Sequence, residues 1–134
     1  MNSPTTSATA ARRPVLVIED EPSVAAFLRA ALKSRGYQVA SSPSSAEALA
    51  LLVSGEFCGV ISDLRTPGGV NGADVHQWLR QNRPELASKM IFVTGDTASH
   101  ETISLLAETR TPCIEKPFRL NELMKTVEET IGKP

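Results

Sequence analysis

The residues best suited to chemistry in this sequence are acidic side chains that follow apolar runs. Glu19 and Asp20 come directly after the run 15–18, and Asp63 comes directly after the run 57–62. Carboxylate oxygens are ligands that Mg²⁺ prefers, and an aspartate can also be the nucleophile that forms an aspartyl phosphate. The pattern therefore indicates magnesium-dependent phosphoryl transfer with Asp63 as the acceptor.

Two further polar residues follow apolar runs in the same way. Thr94 follows 90–93, and Lys116 comes shortly after 112–114. The hydroxyl and the ammonium could each take one phosphoryl oxygen, and Gly95 would leave the approach open. Three carboxylates and one ammonium carry about two net negative charges, which a divalent cation would neutralise. Because the set contains no histidine or cysteine, it favours Mg²⁺, with Mn²⁺ as the alternative.

Strands and helices that alternate along the chain must position these residues. Continuous apolar runs predict strands buried on both faces, and apolar residues spaced three and four apart predict helices. Five of each predict an α/β fold in which helices cover both faces of a parallel sheet and the strands end at one edge. Asp20 is predicted to cap the first helix. The predicted strands are 15–18, 37–40, 57–62, 90–93 and 112–114, and the predicted helices are 23–35, 45–54, 73–81, 98–108 and 119–131.

Length and composition indicate one small globular domain. The chain has 134 residues and a net charge of −1, so nucleic acid and anionic membranes are not attracted to it in bulk. We predict a tail over 1–13 and a domain over 14–133. A cytoplasmic location is predicted because no signal peptide is evident and no run approaches the roughly 20 apolar residues of a membrane span. Cys58 and Cys113 make no metal-binding spacing.

Four motifs, in order, resemble those of the CheY-like receiver domains of response regulators and hybrid histidine kinases. The resemblance implies a flavodoxin-like fold with sheet order 2-1-3-4-5 and Mg²⁺-dependent phosphorylation of Asp63 by a histidine kinase or histidine phosphotransfer domain, without turnover of a substrate. It also implies a cis Lys116-Pro117 bond and the backbone carbonyl of Arg65 as a metal ligand. The motifs are VLVIEDEP at 15–22, SDLRTP at 62–67 with Gly72, FVTG at 92–95 and EKPF at 115–118.

The chain departs from the family pattern at three places. The first acid is Glu19, where aspartate is usual, and the loop 63–72 is one residue longer. Cys113 occupies a switch position that normally holds tyrosine or phenylalanine. Since cysteine has no ring to swing, we expect output through an aromatic rotamer to be absent or weak. Phe118 or the 63–72 loop would then carry more of the change.

Arg65 and Asp96 are expected to modulate the phosphoryl lifetime. They lie two residues beyond the acceptor and two beyond the threonine, so both should flank the entrance for attacking water. An ion pair between them would gate hydrolysis, although an exposed pair contributes only about 0–1 kcal/mol to stability.

The phosphoryl donor is expected to dock beside the pocket, over the first helix and the residues after the fifth strand. This surface includes apolar side chains that a helical partner could cover. Its predicted residues are Pro22, Val24, Phe27, Pro117 and Phe118.

Two other functions remain open. The first is a degenerate receiver that acts only as a binding scaffold. The second is a magnesium-dependent phosphohydrolase or Toprim-like nuclease. The absence of a DxD pair argues against it, since Asp63 is followed by Leu64 and Arg65. For the receiver, the sequence favours a segment of a hybrid histidine kinase over a stand-alone carrier, as a monomer or weak dimer.

Overall fold

The computed structural model describes residues 13–65, 70–95 and 97–134. Strands and helices alternate along the chain, apart from two consecutive helices after the third strand. The strands are β1 (Val15–Ile18), β2 (Val39–Ser42), β3 (Gly59–Asp63), β4 (Met90–Thr94) and β5 (Cys113–Glu115). The helices are α1 (Pro22–Ser34), α2 (Ser45–Ser54), α3 (Gly72–Asn82), α4 (Pro84–Ala87), α5 (His100–Thr109) and α6 (Leu120–Thr130).

The five strands form one parallel sheet in the order β2-β1-β3-β4-β5. This order confirms the predicted flavodoxin-like α/β architecture. β1, β3 and β4 lie in the middle of the sheet, and all of their residues are buried. In the register, Asp63 pairs with Val93 and Thr94 pairs with Glu115. Because every strand runs the same way, the residues that end the strands share one edge of the sheet.

Each face of the sheet carries its own apolar core. Successive side chains of a strand point to opposite faces. Val17 and Ile61 therefore pack with α1 and α6, whereas Leu16 and Val60 pack with α2 and α3. A shift of one residue in either strand would exchange the two faces. The two cores thus fix the register that brings the strand ends together.

Several local predictions differ from the structure. The bounds of most elements shift by one or two residues, and β3, for example, is Gly59–Asp63 rather than 57–62. β2 is Val39–Ser42 rather than 37–40, and Tyr37 precedes it as a buried side chain whose hydroxyl donates to the carbonyl of Gly132. The short helix α4 adds to the five predicted helices, and a proline occupies its first turn, where a helix needs no N–H donor. The N-cap of α1 is Glu21 rather than Asp20, and it makes no side-chain capping hydrogen bond.

Only the last residue of the predicted tail, Arg13, lies within the described residues. Arg13, at the end of the predicted tail, forms an ion pair with Glu56 at 3.2 Å, and the rest of that tail lies outside the described residues. Within the described ranges, no helix has the length and apolar character needed to cross a membrane.

Buried His76 predicts a pH dependence of stability. The side chain is 5% exposed, its ring lies 6.0 Å from that of Phe92, and burial together with the charge of Arg80 lowers its pKa below the usual 6.5. The folded state therefore binds fewer protons than the unfolded state just below pH 6.5. As the pH decreases through this range, the free energy of unfolding should decrease by at most about 1.4 kcal/mol per pH unit.

Urea unfolding between pH 5 and pH 7.5, in about six steps, tests this dependence. His76→Leu should flatten the slope, whereas replacement of the exposed histidine in the first turn of α5, His100→Gln, should leave it unchanged. Equal slopes in the wild type and His76→Leu would show that His76 does not set the dependence.

Candidate functional site

The carboxyl edge of the sheet brings the predicted polar residues together. Asp63 and Thr94 end β3 and β4, while Glu19 and Lys116 directly follow β1 and β5. Glu19, Asp20 and Asp63 each offer one carboxylate oxygen, and these oxygens lie within 4.8 Å of one another. The acidic cluster that the sequence predicted is therefore present as one site.

Asp63 is held by two donors and keeps an opening to solvent. Its Oδ1 accepts the backbone N–H of Arg65 at 3.2 Å, and its Oδ2 accepts from Nζ of Lys116 at 3.0 Å. The residue is 9% exposed. A carboxylate in this position is fixed in direction and keeps a small exposed surface.

Glu19 is the most deeply buried acid of the cluster, at 3% exposure. Its Oε2 accepts the backbone N–H of Glu21 at 3.1 Å, and its Oε1 lies 2.9 Å from Nζ of Lys116. Burial raises the pKa of Glu19 above its usual 4.5, and the charge of Asp63 adds to this rise. The contacts with Lys116 and Glu21 oppose the rise without cancelling it.

Lys116 is the cation of the cluster. Besides Glu19 and Asp63, it faces the exposed carboxylate of Glu21 at 3.8 Å. Burial alone would lower the pKa of Lys116, but the contacts with Glu19 and Asp63 and the negative charges of these two residues together outweigh burial and raise it above 10.5. The ammonium therefore stays charged at neutral pH. The Lys116-Pro117 bond that follows is cis, as predicted.

The donor set fits a hard divalent cation. Glu19 Oε1 is buried and accepts no hydrogen bond of good geometry from the described residues, although the Lys116 ammonium lies close to it. An anionic oxygen in this state suits a cation better than a neutral donor. Three carboxylates without histidine or cysteine suit Mg²⁺. The position of the Arg65 carbonyl as a further ligand stays a prediction.

Three small residues, Thr94, Gly95 and Gly72, lie at the ends of the elements around the site. Thr94 is 3% exposed, and its carbonyl accepts the backbone N–H of Lys116 at 2.8 Å. Among the described residues, a Cβ at Gly95 would meet no atom within 4 Å, and the open approach for a phosphoryl group stays a prediction. At Gly72, a Cβ would lie 2.8 Å from the backbone carbonyl of Asp63. Only glycine allows α3 to begin this close to the acceptor.

Some residues predicted to border the site are not among those that the structure describes. Asp96 and the loop residues 66–69 lie outside the described residues, so the predicted Arg65–Asp96 pair stays a prediction. The described partner of the Arg65 guanidinium is Glu101 on α5, at 3.8 Å. Spacing alone gave no signal for this contact, because it depends on where α5 packs.

Cys113 is half-buried in the sheet core. It packs against the cluster that contains Phe92, and burial raises the pKa of its thiol to about 11. The side chain is thus neutral and unreactive at neutral pH. The expectation that it replaces an aromatic switch without taking over its role stays a prediction.

An apolar groove lies beside the acidic cluster. It has a volume of about 440 Å³ and is lined by Val24, Phe27 and Phe118 together with charged residues at its edge. The rings of Phe27 and Phe118 lie 5.6 Å apart, and Phe27 is 42% exposed. Pro117 also lines the groove, whereas Pro22 does not. Four of the five predicted docking residues therefore share one surface.

Comparison with known proteins places the chain among signalling domains. A family model described as the response regulator receiver domain matches residues 15–128. The sensor kinase CckA of Brucella abortus is 36% identical over 121 residues, covering 89% of this chain and 12% of that protein. The response regulator SaeR of Staphylococcus aureus is 27% identical over 119 residues, covering 89% of this chain and 50% of SaeR. The chain thus spans at most half the length of these relatives.

Solved structures share the same fold. The response regulator TrrA of Thermotoga maritima, solved in complex with Mg²⁺ and BeF, is 28% identical with a TM-score of 0.76, covering 88% of this chain and 98% of TrrA. A CheY-like receiver domain from Methanospirillum hungatei superposes with a TM-score of 0.79 at 23% identity, covering 89% of this chain and 93% of that chain. The second likeness concerns the fold alone.

Proposed function

The chain belongs to the response regulator receiver domain family of two-component signalling, and on this premise we propose that Asp63 accepts a phosphoryl group from a phosphohistidine donor. One observation carries the proposal. The Asp63 carboxylate lies within 4.8 Å of two further acidic oxygens and 3.0 Å from the Lys116 ammonium. Clustered charges of this kind can stabilise a phosphoryl group during transfer, whereas they contribute little to the packing of the core.

The transfer balances as a displacement at phosphorus. One Asp63 oxygen forms the new P–O bond while the P–N bond to the donor histidine breaks, and the histidine nitrogen keeps the electron pair. Lys116 already hydrogen-bonds Asp63 and can follow the charge onto a phosphoryl oxygen. Thr94 and Gly95 border the open side, where the Thr94 hydroxyl would donate to another phosphoryl oxygen.

Receiver domains of this family use Mg²⁺. We assign its ligands in this chain to Glu19, Asp20, Asp63 and the backbone carbonyl of Arg65. When bound, the cation neutralises carboxylate and phosphoryl oxygens during transfer. Mn²⁺ prefers similar oxygen donors and would serve in its place. The carboxylate oxygens of Glu19, Asp20 and Asp63 support the assignment, because they lie within 4.8 Å of one another.

Chemical phosphorylation tests the proposal without the cognate kinase. The chain is incubated with Mg²⁺ and acetyl phosphate, and intact mass and peptide mapping follow. We expect one phosphoryl group per chain on the peptide that contains Asp63. Alkaline pH should remove this group after the reaction, and EDTA in the reaction should prevent its addition. Label on another residue, or no label on a folded chain, would overturn the assignment. Sustained release of phosphate from phosphate esters would instead support a phosphohydrolase.

The groove beside the cluster is the proposed docking surface for a histidine kinase or histidine phosphotransfer domain. Phe27→Ala should weaken binding of a phosphotransfer domain about tenfold, since exposed aromatic residues are frequent binding hot spots. Leu51→Ala is the matched control, because Leu51 is also 42% exposed but lies on α2. Isothermal titration measures both. Equal losses of affinity, or none in Phe27→Ala, would place the docking surface elsewhere.

The remaining context is also proposed. Residues 14–133 would form the receiver unit, which the family match over 15–128 supports. The similarity to the sensor kinase CckA favours a receiver segment of a hybrid histidine kinase on the cytoplasmic side of the membrane. The isolated unit would be a monomer or weak dimer, and sedimentation before and after phosphorylation would reveal a stable dimer if this is wrong.

A further inference from the structure

The ion pair between Arg65 and Glu101 links the acceptor strand to α5. The backbone N–H of Arg65 is bonded to Asp63 Oδ1 at 3.2 Å, while its guanidinium lies 3.8 Å from Glu101 Oε2 in the first turn of α5. The side chains of Arg65 and Glu101 are 63% and 90% exposed. The backbone of Arg65 therefore contacts the acceptor Asp63, while its charged side chain contacts α5.

α5 is the helix best suited to respond to this contact. Of its ten residues, all of which the structure describes, only Thr102 is buried, and Leu105 and Leu106 are half-buried against the core that contains Leu79. Ile103 is 52% exposed. A cavity of about 150 Å³ is lined by Leu64 and Arg65 and by the α5 residues Glu101, Thr102 and Leu105. A helix with few buried side chains and free volume beside it can move at low cost.

Phosphorylation of Asp63 would change which anion attracts Arg65. With a divalent cation bound, the three carboxylates and Lys116 are neutral in sum. A phosphoryl group adds about one further negative charge at Asp63. The Arg65 guanidinium is anchored two residues away and can neutralise this charge. Arginine also matches phosphoryl oxygens in a bidentate fork, which a single exposed carboxylate such as Glu101 offers less rigidly.

We propose that the Arg65–Glu101 pair is a latch that holds α5 to the acceptor strand and opens when Asp63 is phosphorylated. This inference rests on the proposed function of Asp63 and deepens it. Arg65 changes partner from Glu101 to the phosphoryl group, and α5 loses its tie to β3. The latch gives the chain a route from the acceptor to a helix surface that needs no aromatic ring at Cys113.

A double-mutant cycle on beryllofluoride affinity tests the latch. Beryllofluoride with Mg²⁺ mimics the phosphorylated state, and its dissociation constant is measured by titration with NMR detection. Glu101→Gln should tighten binding about two- to fivefold by freeing Arg65, and Arg65→Gln should weaken it by a similar factor. In the double variant, the effect of Glu101→Gln should vanish. Both effects should shrink at about 1 M salt, where screening acts within roughly 3 Å.

Glu108→Gln is the matched control, because Glu108 is an exposed acid in the last turn of the same helix. It should leave the affinity unchanged. Hydrogen exchange gives a second readout, in which beryllofluoride should speed exchange in α5 of the wild type, and Glu101→Gln should show fast exchange without it.

Three results would overturn the latch. They are equal effects of Glu101→Gln and Glu108→Gln, persistence of the Glu101→Gln effect without Arg65, and unchanged exchange in α5. A wild type that binds no beryllofluoride would overturn the proposed function and the latch together. Normal binding by the wild type with no effect of Glu101→Gln would overturn the latch alone.

Discussion

Asparagine in place of Asp63 is expected to reduce phosphoryl incorporation to below about 1% of the wild-type level, because a neutral amide has no anionic oxygen to attack phosphorus. Beryllofluoride binding should be lost as well. The fold should remain, since the amide oxygen can still accept the N–H of Arg65 that Asp63 Oδ1 accepts at 3.2 Å. Loss of the Lys116 contact and relief of repulsion from Glu19 act in opposite directions, so the change in unfolding free energy should stay within about 1 kcal/mol.

The measurement is labelling with acetyl phosphate, read by intact mass, together with urea unfolding of the same samples. Glu85→Gln serves as the control, because Glu85 is an exposed acid in the first turn of α4, away from the site. It should label like the wild type. If Asp63→Asn is still labelled at the wild-type rate, the acceptor is another acid, and Asp20 in the same cluster becomes the first candidate.

The sequence could predict the convergence of the site because the reason is geometric. Strands that alternate with helices must be parallel, and parallel strands end at one edge. Glu19, Asp63, Thr94 and Lys116 could therefore be placed together without any contact being known. The resemblance to receiver domains added the sheet order and the cis bond before Pro117, and the structure has both.

Contacts that depend on helix packing could not be predicted in the same way. Glu101 meets Arg65 because α5 happens to place its first turn beside the end of β3. Glu21, the N-cap of α1, lies 3.8 Å from Lys116, and residue spacing gave no indication of this contact. The special role of Gly72 emerges only when a Cβ is placed 2.8 Å from the Asp63 carbonyl. Such details depend on side-chain direction and helix position, which residue spacing does not fix.

A response through α5, as proposed, is compatible with Cys113 at the position where receiver domains usually have an aromatic residue. Cys113 is half-buried and packs into the core, where its small thiol offers no large group to rotate. Arg65 instead carries a full charge beside the acceptor on a long exposed side chain. A chain that lacks the ring can still report phosphorylation if the moving group is a charged side chain at the acceptor loop. The proposed latch would therefore let the chain respond to phosphorylation without an aromatic residue at position 113.

Methionine in place of Lys116 should destabilise the metal-free protein and increase its response to Mg²⁺. The ammonium lies 2.9 Å from Glu19 and 3.0 Å from Asp63, and its side chain is 17% exposed. Removal of one partner of a buried pair costs about 3–5 kcal/mol, and partial exposure reduces the expected loss here to about 2–3 kcal/mol. Methionine has a similar length and can keep the apolar packing of the lysine stem.

Mg²⁺ should then stabilise Lys116→Met more than the wild type, because in the wild type the cation must share the carboxylates with an ammonium. Each tenfold gain in Mg²⁺ affinity adds about 1.4 kcal/mol at saturation. Urea unfolding in EDTA and in excess Mg²⁺ measures both quantities, with Lys125→Met, at an exposed position of α6, as the control that should change neither. Equal stabilisation of Lys116→Met and the wild type by Mg²⁺ would show that the ammonium and the cation do not compete for these carboxylates.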